Sequence, residues 1–468
     1  MHVFKHSKKI NTAHVARIKK YVWEVVGKLT HDEILYFGYR MLQENSTLTY
    51  ALRVKYPFVF IDEFQDTNPL QTQIIKLLGE KSTVIGVVGD VAQSIYSFQG
   101  AQPSQFSNFT MPGTIGTEIY HVSGNRRSTS NIVSFCNYLR STDVLSQTSI
   151  KPYKNEEEKQ ESEQIPVRFI CGDSPEVMEQ INALVQDGSV VLTRTWVAAF
   201  SYIQGIDDGQ RNILNKIYNS YFPTSIDIRA DIIEHNRVTW VRAFHFIMLF
   251  NSAHKSGSLI DVLNAISLYS NISHIKGNSA FSAKTILKIR KLLGETFEGL
   301  TSKCLVSDVI DKFNSTLLGA EYYDLQEILF DTNGFTLQYI SDFDEKIADQ
   351  IKKITWDTAS KLFTEVFSKD AKYMTVHQAK GLEWNTVVVA AMPTRTDNTS
   401  LTNVFNSPSI LGENSIDEFV RIYYVACSRA CKSLYIHIAD DQNLKKTIKQ
   451  QLDFYIQDKH CSLEYEFI

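Results

Sequence analysis

Two adjacent carboxylates, Asp62 and Glu63, end the apolar run Val59-Phe60-Ile61 and are followed by Phe64-Gln65-Asp66-Thr67. An acid pair in that position fits a magnesium-nucleotide site. The first acid can hold Mg2+ through its water shell, and the second can orient or deprotonate a water attacking a terminal phosphate. Side chains at the carboxyl end of a strand open into the crevice where α/β sheets bind ligands. A bare Asp-Glu pair is more often a solvated strand end; the extended string is far more specific. A second string, Val88-Gly89-Asp90-Val91-Ala92-Gln93-Ser94-Ile95-Tyr96-Ser97-Phe98-Gln99-Gly100-Ala101, also ends an apolar run in glycine and aspartate. Gln93 can sense a phosphate. Tyr96 and Phe98 can stack on unpaired bases, at ~1–3 kcal/mol per base, or can be ordinary core aromatics.

The elements that must position these groups follow from pattern. Val15 to Lys28 and Asp32 to Glu44 carry helical apolar spacing, with Thr30 as N-cap and Glu33 as its capping-box partner. Phe58 to Ile61 reads as a buried parallel strand. Leu70 to Gly79 reads as a helix closed by its glycine, and Thr83 to Val88 as a second buried strand. Residues 154–164 are almost devoid of apolar side chains and read as a solvated linker. Strands resume at Pro166 to Cys171 and Ser189 to Thr193. Residues 206–370 read as helical, and strands return at Tyr373 to Val376, Thr386 to Ala391 and Leu434 to Ile438. No fixed-period repeat is visible.

Composition bounds the class. The 468 residues are 43% hydrophobic, 21% charged and 12% aromatic, an ordinary globular balance that predicts two to four domains. No apolar run approaches the ~18 residues of a membrane span; Val387 to Met392 is a short one. The start, Met1 to Lys5, has no apolar signal region. Six cysteines form no C-x-x-C pair, so a disulfide framework, zinc site or redox motif is not expected. Cys427 and Cys431, four apart, are expected on one helix face as packing residues. The chain is expected to be cytoplasmic, with no membrane partner. Net charge is −4, which argues against a basic coat but leaves room for a local basic cleft on nucleic acid.

The two chemistry-bearing strings resemble motifs II and III of superfamily 1 DNA helicases of the UvrD/Rep type, departing at Gln99 where the family usually has arginine. Three later strings fit the same family in the same order. Tyr120-His121-Val122-Ser123-Gly124-Asn125-Arg126-Arg127-Ser128-Thr129 resembles motif IV. Residues 373–384, including Thr375, His377, Gly381 and Glu383, are very close to motif V. Residues 421–430 resemble motif VI, with Ser428 for the usual threonine. The resemblance implies that Arg127 reaches the γ-phosphate and that Arg429 is an arginine finger. It places Gly381 and Glu383 near the nucleotide and Thr375 and His377 toward the DNA. Taken singly, Arg127 reads better as a surface arginine, His377 as a hydrogen-bonded core histidine, and Arg429 as a helix-end cation; five matches in order outweigh those readings.

The resemblance implies an α/β fold of two RecA-like parallel-sheet lobes, the first incomplete, the second interrupted by helices. The expected parts are 1–110 (first lobe), 111–205 (second lobe, first part), 206–370 (helical insertion) and 371–468 (second lobe, remainder). The implied activity is ATP-dependent 3′ to 5′ translocation and strand separation on single-stranded DNA or a duplex junction. ATP and Mg2+ are the implied cofactors, with Asp62 and Glu63 on the metal.

The family's phosphate loop, G-x-x-x-x-G-K-[ST], is absent from the sequence. Gly79-Glu80-Lys81-Ser82 is a near miss on the wrong side of Asp62, and only Gly27 and Gly38 precede that acid. N-terminal truncation, a split protein whose partner supplies the loop, and a degenerate relative are the competing explanations; truncation is expected, because the other site residues stand intact. The alternative class is a non-catalytic subunit binding DNA or a nuclease, as in a repair or phage-defence system. Without the missing strand, Phe58 to Ile61 is expected to lose a neighbour and the first lobe to be marginal.

Overall fold

The computed structural model describes residues 12–27, 29–111, 117–143, 145–221, 239–269, 282–329, 349–350, 352–368, 370–390, 401–406, 408–412 and 415–468. Met1 to Lys5, Lys28, parts of 206–370, and Ala391 and Met392 lie outside the described residues. The chain divides into two compact units. One comprises Met1–Val122, Thr142–Leu145 and Ser409–Arg421; the other comprises Ser123–Ser141, Ser146–Pro408 and Ile422–Ile468.

The first unit opens with helices Thr12–Tyr21, His31–Glu44 and Ser46–Lys55, and a wide helical turn over Val22–Val26 that ends at Gly27. The capping box before the second helix is formed as expected. The Thr30 hydroxyl accepts from the Glu33 backbone, and the Glu33 carboxylate accepts from the Thr30 N–H at 2.9 Å. That backbone bond, helped by Lys19 and Trp23, draws the Glu33 carboxyl down to about 2. Strands β1 (Phe58–Ile61) and β2 (Val84–Val87) pair in parallel, Phe58 opposite Val84 and Ile61 opposite Val87. Helix Pro69–Gly79 joins them. The buried Arg53 guanidinium donates to the carbonyls of Leu77 and Leu78 and so satisfies that helix's last turn.

The expected burial of both strands needs correction here. The strands are parallel but not buried: Phe58, Phe60 and Val84 are exposed, because among the described residues this sheet has two strands and one covered face. Gly79 does not terminate its helix by a left-handed turn. It is the last helical residue, and Glu80 after it keeps a right-handed backbone.

The second unit holds a six-stranded, all-parallel sheet. Its strands are β3 (Val167–Cys171), β4 (Val190–Thr193), β5 (Tyr373–Thr375), β6 (Trp384–Val389), β7 (Ala430–Ile438) and β8 (Tyr465–Phe467). Their order is β8-β3-β7-β6-β4-β5. Runs such as Val190-Val191-Leu192 and Val387-Val388-Val389 are wholly buried, as central parallel strands require. Between β4 and β5 the described chain is helical, including Asp208–Tyr221, Thr239–Ser256, Ala283–Phe297 and Val306–Leu317. One continuous core joins the two layers: Trp196 stacks on Phe367 at 5.4 Å, and Phe250 on Phe313 at 5.8 Å.

Two further expectations fail in this unit. Residues 154–164 are not a linker, because Glu156–Glu163 is a helix. Asn155 caps it by accepting from the Glu158 N–H at 2.8 Å, and three glutamates occupy its first turn. Cys427 and Cys431 do not share a helix face. Cys427 ends helix Ser415–Cys427, whereas Cys431 lies on β7, which begins four residues before the expected Leu434. Both are nonetheless buried packing residues, and burial pushes the Cys427 thiol well up. Among the described residues no helix is long and apolar enough to cross a membrane, and no cluster of three metal-ligating side chains occurs.

Candidate functional site

In the first unit the acids stand where β1 ends. Asp62 and Glu63 are exposed. Glu63 has a left-handed backbone, φ 53°, unusual for a residue with a side chain, and its N–H is held by the Asp62 carboxylate at 2.8 Å. The Phe64 N–H donates to Val88 O at 2.9 Å, which turns the chain back over the end of β2. Gln65 is fully buried and works in both directions: its amide donates to Glu63 Oε2, and its carbonyl accepts from the Asp90 N–H at 3.0 Å. A Cβ at position 89 would strike the Gln65 side chain, so Gly89 is what lets Gln65 cross. Asp90 in turn accepts from Ala92 N and from the Gln93 amide at 3.1 Å. Asp62, Glu63, Gln65, Asp90 and Gln93 thus form one chain of contacts.

Gln65 and Asp90 were present in the strings, but the sequence reading gave them no role of their own. Their signal was a polar residue set between buried Phe64 and the site, which must find partners once covered. Tyr96 is half-buried beyond this chain. Phe98 lies in the tight turn Ser97–Gln99, and its side chain is outside the description. Arg421 is another residue whose role the sequence pattern does not announce. Its guanidinium is buried and donates to Ser94 O at 2.7 Å, Ile410 O at 2.9 Å and Gly412 O at 2.6 Å.

In the second unit, segments far apart in sequence converge. Arg127 donates through Nε to Glu383 Oε2 at 2.6 Å and through Nη1 to Ser428 O at 3.2 Å. Asn125 Oδ1 accepts from the N–H groups of Arg127 and Ser128, both at 3.0 Å, and Lys151 Nζ donates to Arg127 O. The Arg429 guanidinium is buried and donates to Val425 O at 3.2 Å and Ser428 Oγ at 3.0 Å. Gly381, at φ 82°, makes the exposed left-handed turn that leads to Glu383. Thr375 ends β5 and His377 follows it; both are nearly sealed from solvent.

The geometry therefore brings together Arg127, Glu383, Ser428 and Arg429 in one unit, and Asp62, Glu63 and Gln93 in the other. The exposed acids at a parallel strand's carboxyl end suit a hydrated Mg2+ and its phosphates. The string G-x-x-x-x-G-K-[ST] that would cradle those phosphates does not occur among the 468 residues, so the donor set fits the group only in part.

Comparison with known proteins agrees in the order of parts. Residues 4–112 match the UvrD/REP helicase N-terminal domain, and residues 325–441 match the UvrD-like helicase C-terminal domain. YjcD of Bacillus subtilis is 25% identical over 442 residues, covering 86% of this chain and 54% of YjcD. The Gabija protein GajB of Bacillus cereus is 24% identical over 470 residues, covering 88% of this chain and 63% of GajB. The ATP-dependent DNA helicase Rep of Buchnera aphidicola is 23% identical over 452 residues, 87% of this chain and 66% of Rep. The chain thus spans between about half and two thirds of the length of these relatives.

Proposed function

We propose that the chain, a member of the UvrD/Rep-type helicase family, serves ATP-dependent 3′ to 5′ movement on single-stranded DNA. Asp62 and Glu63 take Mg2+ and the attacking water, and Gln93 reads the phosphates. Arg127, Gly381, Glu383 and Arg429 contribute from the second unit. Tyr96 and Phe98 in the first unit, and Thr375 and His377 in the second, are the proposed DNA contacts; Thr375 and His377 must first be uncovered. The observation that carries this reading is the meeting of Arg127 with Glu383 and Ser428, positions 256 and 301 residues away. A surface arginine without a task has no reason to draw three distant segments together. To act on phosphate, Arg429 must exchange its bonds to Val425 and Ser428 for the ligand, a step that suits a switch closed only by nucleotide.

The phosphate loop is to be supplied by a preceding or partner segment, and alone the chain hydrolyses ATP slowly or not at all. Phosphate release in the presence of single-stranded DNA tests this. With the loop restored, Arg429→Ala lowers kcat by ~10³ or more, the scale of an arginine finger, with a much smaller change in nucleotide affinity. Robust turnover by the chain alone, abolished by Glu63→Gln, would overturn the dependence on a supplied loop. A second reading, a non-catalytic subunit that binds DNA or a nuclease, is favoured by the missing loop and by the likeness to a Gabija protein over 88% of the chain. It predicts DNA binding that is indifferent to Arg429→Ala and no ATPase in any combination.

A further inference from the structure

Three helices of the second unit, Thr239–Ser256, Leu259–Tyr269 and Ala283–Phe297, border a cavity of about 160 Å3. Ala253, Val262 and Leu293 line it and are buried in the continuous core, so its floor is apolar and fixed. His254, Gly257 and Arg290 complete the lining, and all three are exposed. Arg290 differs from the lysines on its own helix. Lys288 pairs with Asp324 at 2.7 Å and Lys291 with Glu321 at 2.6 Å. The Arg290 guanidinium has no hydrogen-bond or ion-pair partner among the described residues. Asp261, next to Val262, is engaged by the Ser256 hydroxyl at 2.8 Å. The His254 ring lies against Phe297 at 5.8 Å, and Phe297 stacks on Trp356 at 5.9 Å. None of these residues belongs to the candidate nucleotide site.

We propose that this cavity is a binding site for a small organic carboxylate with an apolar body. Size sets the first limit. The cavity far exceeds the ~10–15 Å3 that one water needs. It falls short of the ~300–1,000 Å3 of pockets that bury drug-sized ligands. A single ring or a short branched chain fits between those bounds. Ala253, Val262 and Leu293 offer such a body apolar contact and no polar side chain. The mouth favours an anion, because Arg290 is a permanent cation without a counter-charge. Its planar fork matches the two oxygens of a carboxylate. The His254 ring, held against Phe297, has an N–H to donate to the same group. Inorganic phosphate would leave the apolar floor uncovered. A nucleic-acid backbone, with a sugar on each side of every phosphate, is too bulky to reach it.

Ligand-detected NMR titration of the full chain with benzoate tests this. Benzoate binds, and its neutral isostere benzamide binds roughly tenfold more weakly or worse, because the bond to a charged group is lost. Acetate and inorganic phosphate, which lack the ring, also bind more weakly. Arg290→Ala weakens benzoate binding roughly tenfold or more, and Arg290→Lys restores part of it. Arg290 is exposed, so neither change threatens the fold. Ala253→Met fills the floor and abolishes binding, with circular dichroism to check that this variant is folded; should it unfold, the two Arg290 variants decide alone. Tyr323→Ala, at an exposed site on another helix, changes nothing. Absence of benzoate binding at millimolar concentration, equal binding of benzamide, or indifference to Arg290→Ala overturns the proposal. So does displacement of benzoate by phosphate or by a thymidine oligonucleotide at equal concentration, since the mouth would then be a phosphate contact.

Discussion

At the scale of single residues, polar side chains inside each unit set the chemistry. His437 illustrates how tightly. The Tyr202 hydroxyl lies 2.6 Å from Nδ1, and Nε2 faces the Gly172 carbonyl. A neutral ring with its proton on Nε2 satisfies both neighbours, and burial, opposed by the Gly172 bond and Asp173, lowers its affinity for a proton. The unfolded chain then takes up that proton first as pH falls. Stability is full above about pH 6.5 and declines as pH drops through the lower folded value. Melting temperatures between pH 5 and 8 should show this slope, and His437→Phe should flatten it; an unchanged slope would assign it to other groups. At this scale the sequence was most legible where chemistry demands a type: Asp62, Glu63, Arg127 and Glu383 stand at strand ends or in the arginine cluster. It was least legible for Gln65 and Arg421, whose roles come from backbone carbonyls and amides that no side-chain pattern announces.

Among elements, apolar runs located the strands well, and β3, β4, β5 and β6 lie within a residue or two of their expected bounds. Exposure was misread for β1 and β2 because hydrophobicity records what a strand can bury, not what has come to cover it. The helix Glu156–Glu163 was missed because it has no apolar stripe; a cap and a tertiary bond hold it instead. Asn155 receives the Glu158 N–H, and Glu163 receives the Ser130 N–H at 2.8 Å. Asn155 followed by acids was an available N-terminal signal. Asn155→Ala should therefore cost ~1 kcal/mol in urea unfolding of the second unit, and a change below a few tenths would show that tertiary contacts, not the cap, hold this helix. Strand β8, three residues long, offered too little pattern to be found.

The whole molecule is uneven. The continuous core of aromatic and aliphatic side chains belongs to the second unit, while the first has a small cluster around Phe64, Phe106 and Phe109 and large exposed apolar surfaces. Calorimetry should resolve two transitions. Phe64→Ala should lower only the first, and Phe313→Ala only the second, by ~3–5 kcal/mol; one cooperative transition shifted by both would contradict this. The order of the larger sheet also has a meaning in time. Strand β3 is flanked by β7 and β8, and Arg168 on β3 bonds Glu466 on β8 across 298 positions. On the ribosome, β3 emerges early and waits with both edges unpaired until β7, which starts about 260 residues later, is made. Translation speed and chaperone cover during that interval, rather than equilibrium stability, should set the yield of folded protein. Slowing synthesis between β4 and β7 should send more chains into aggregates.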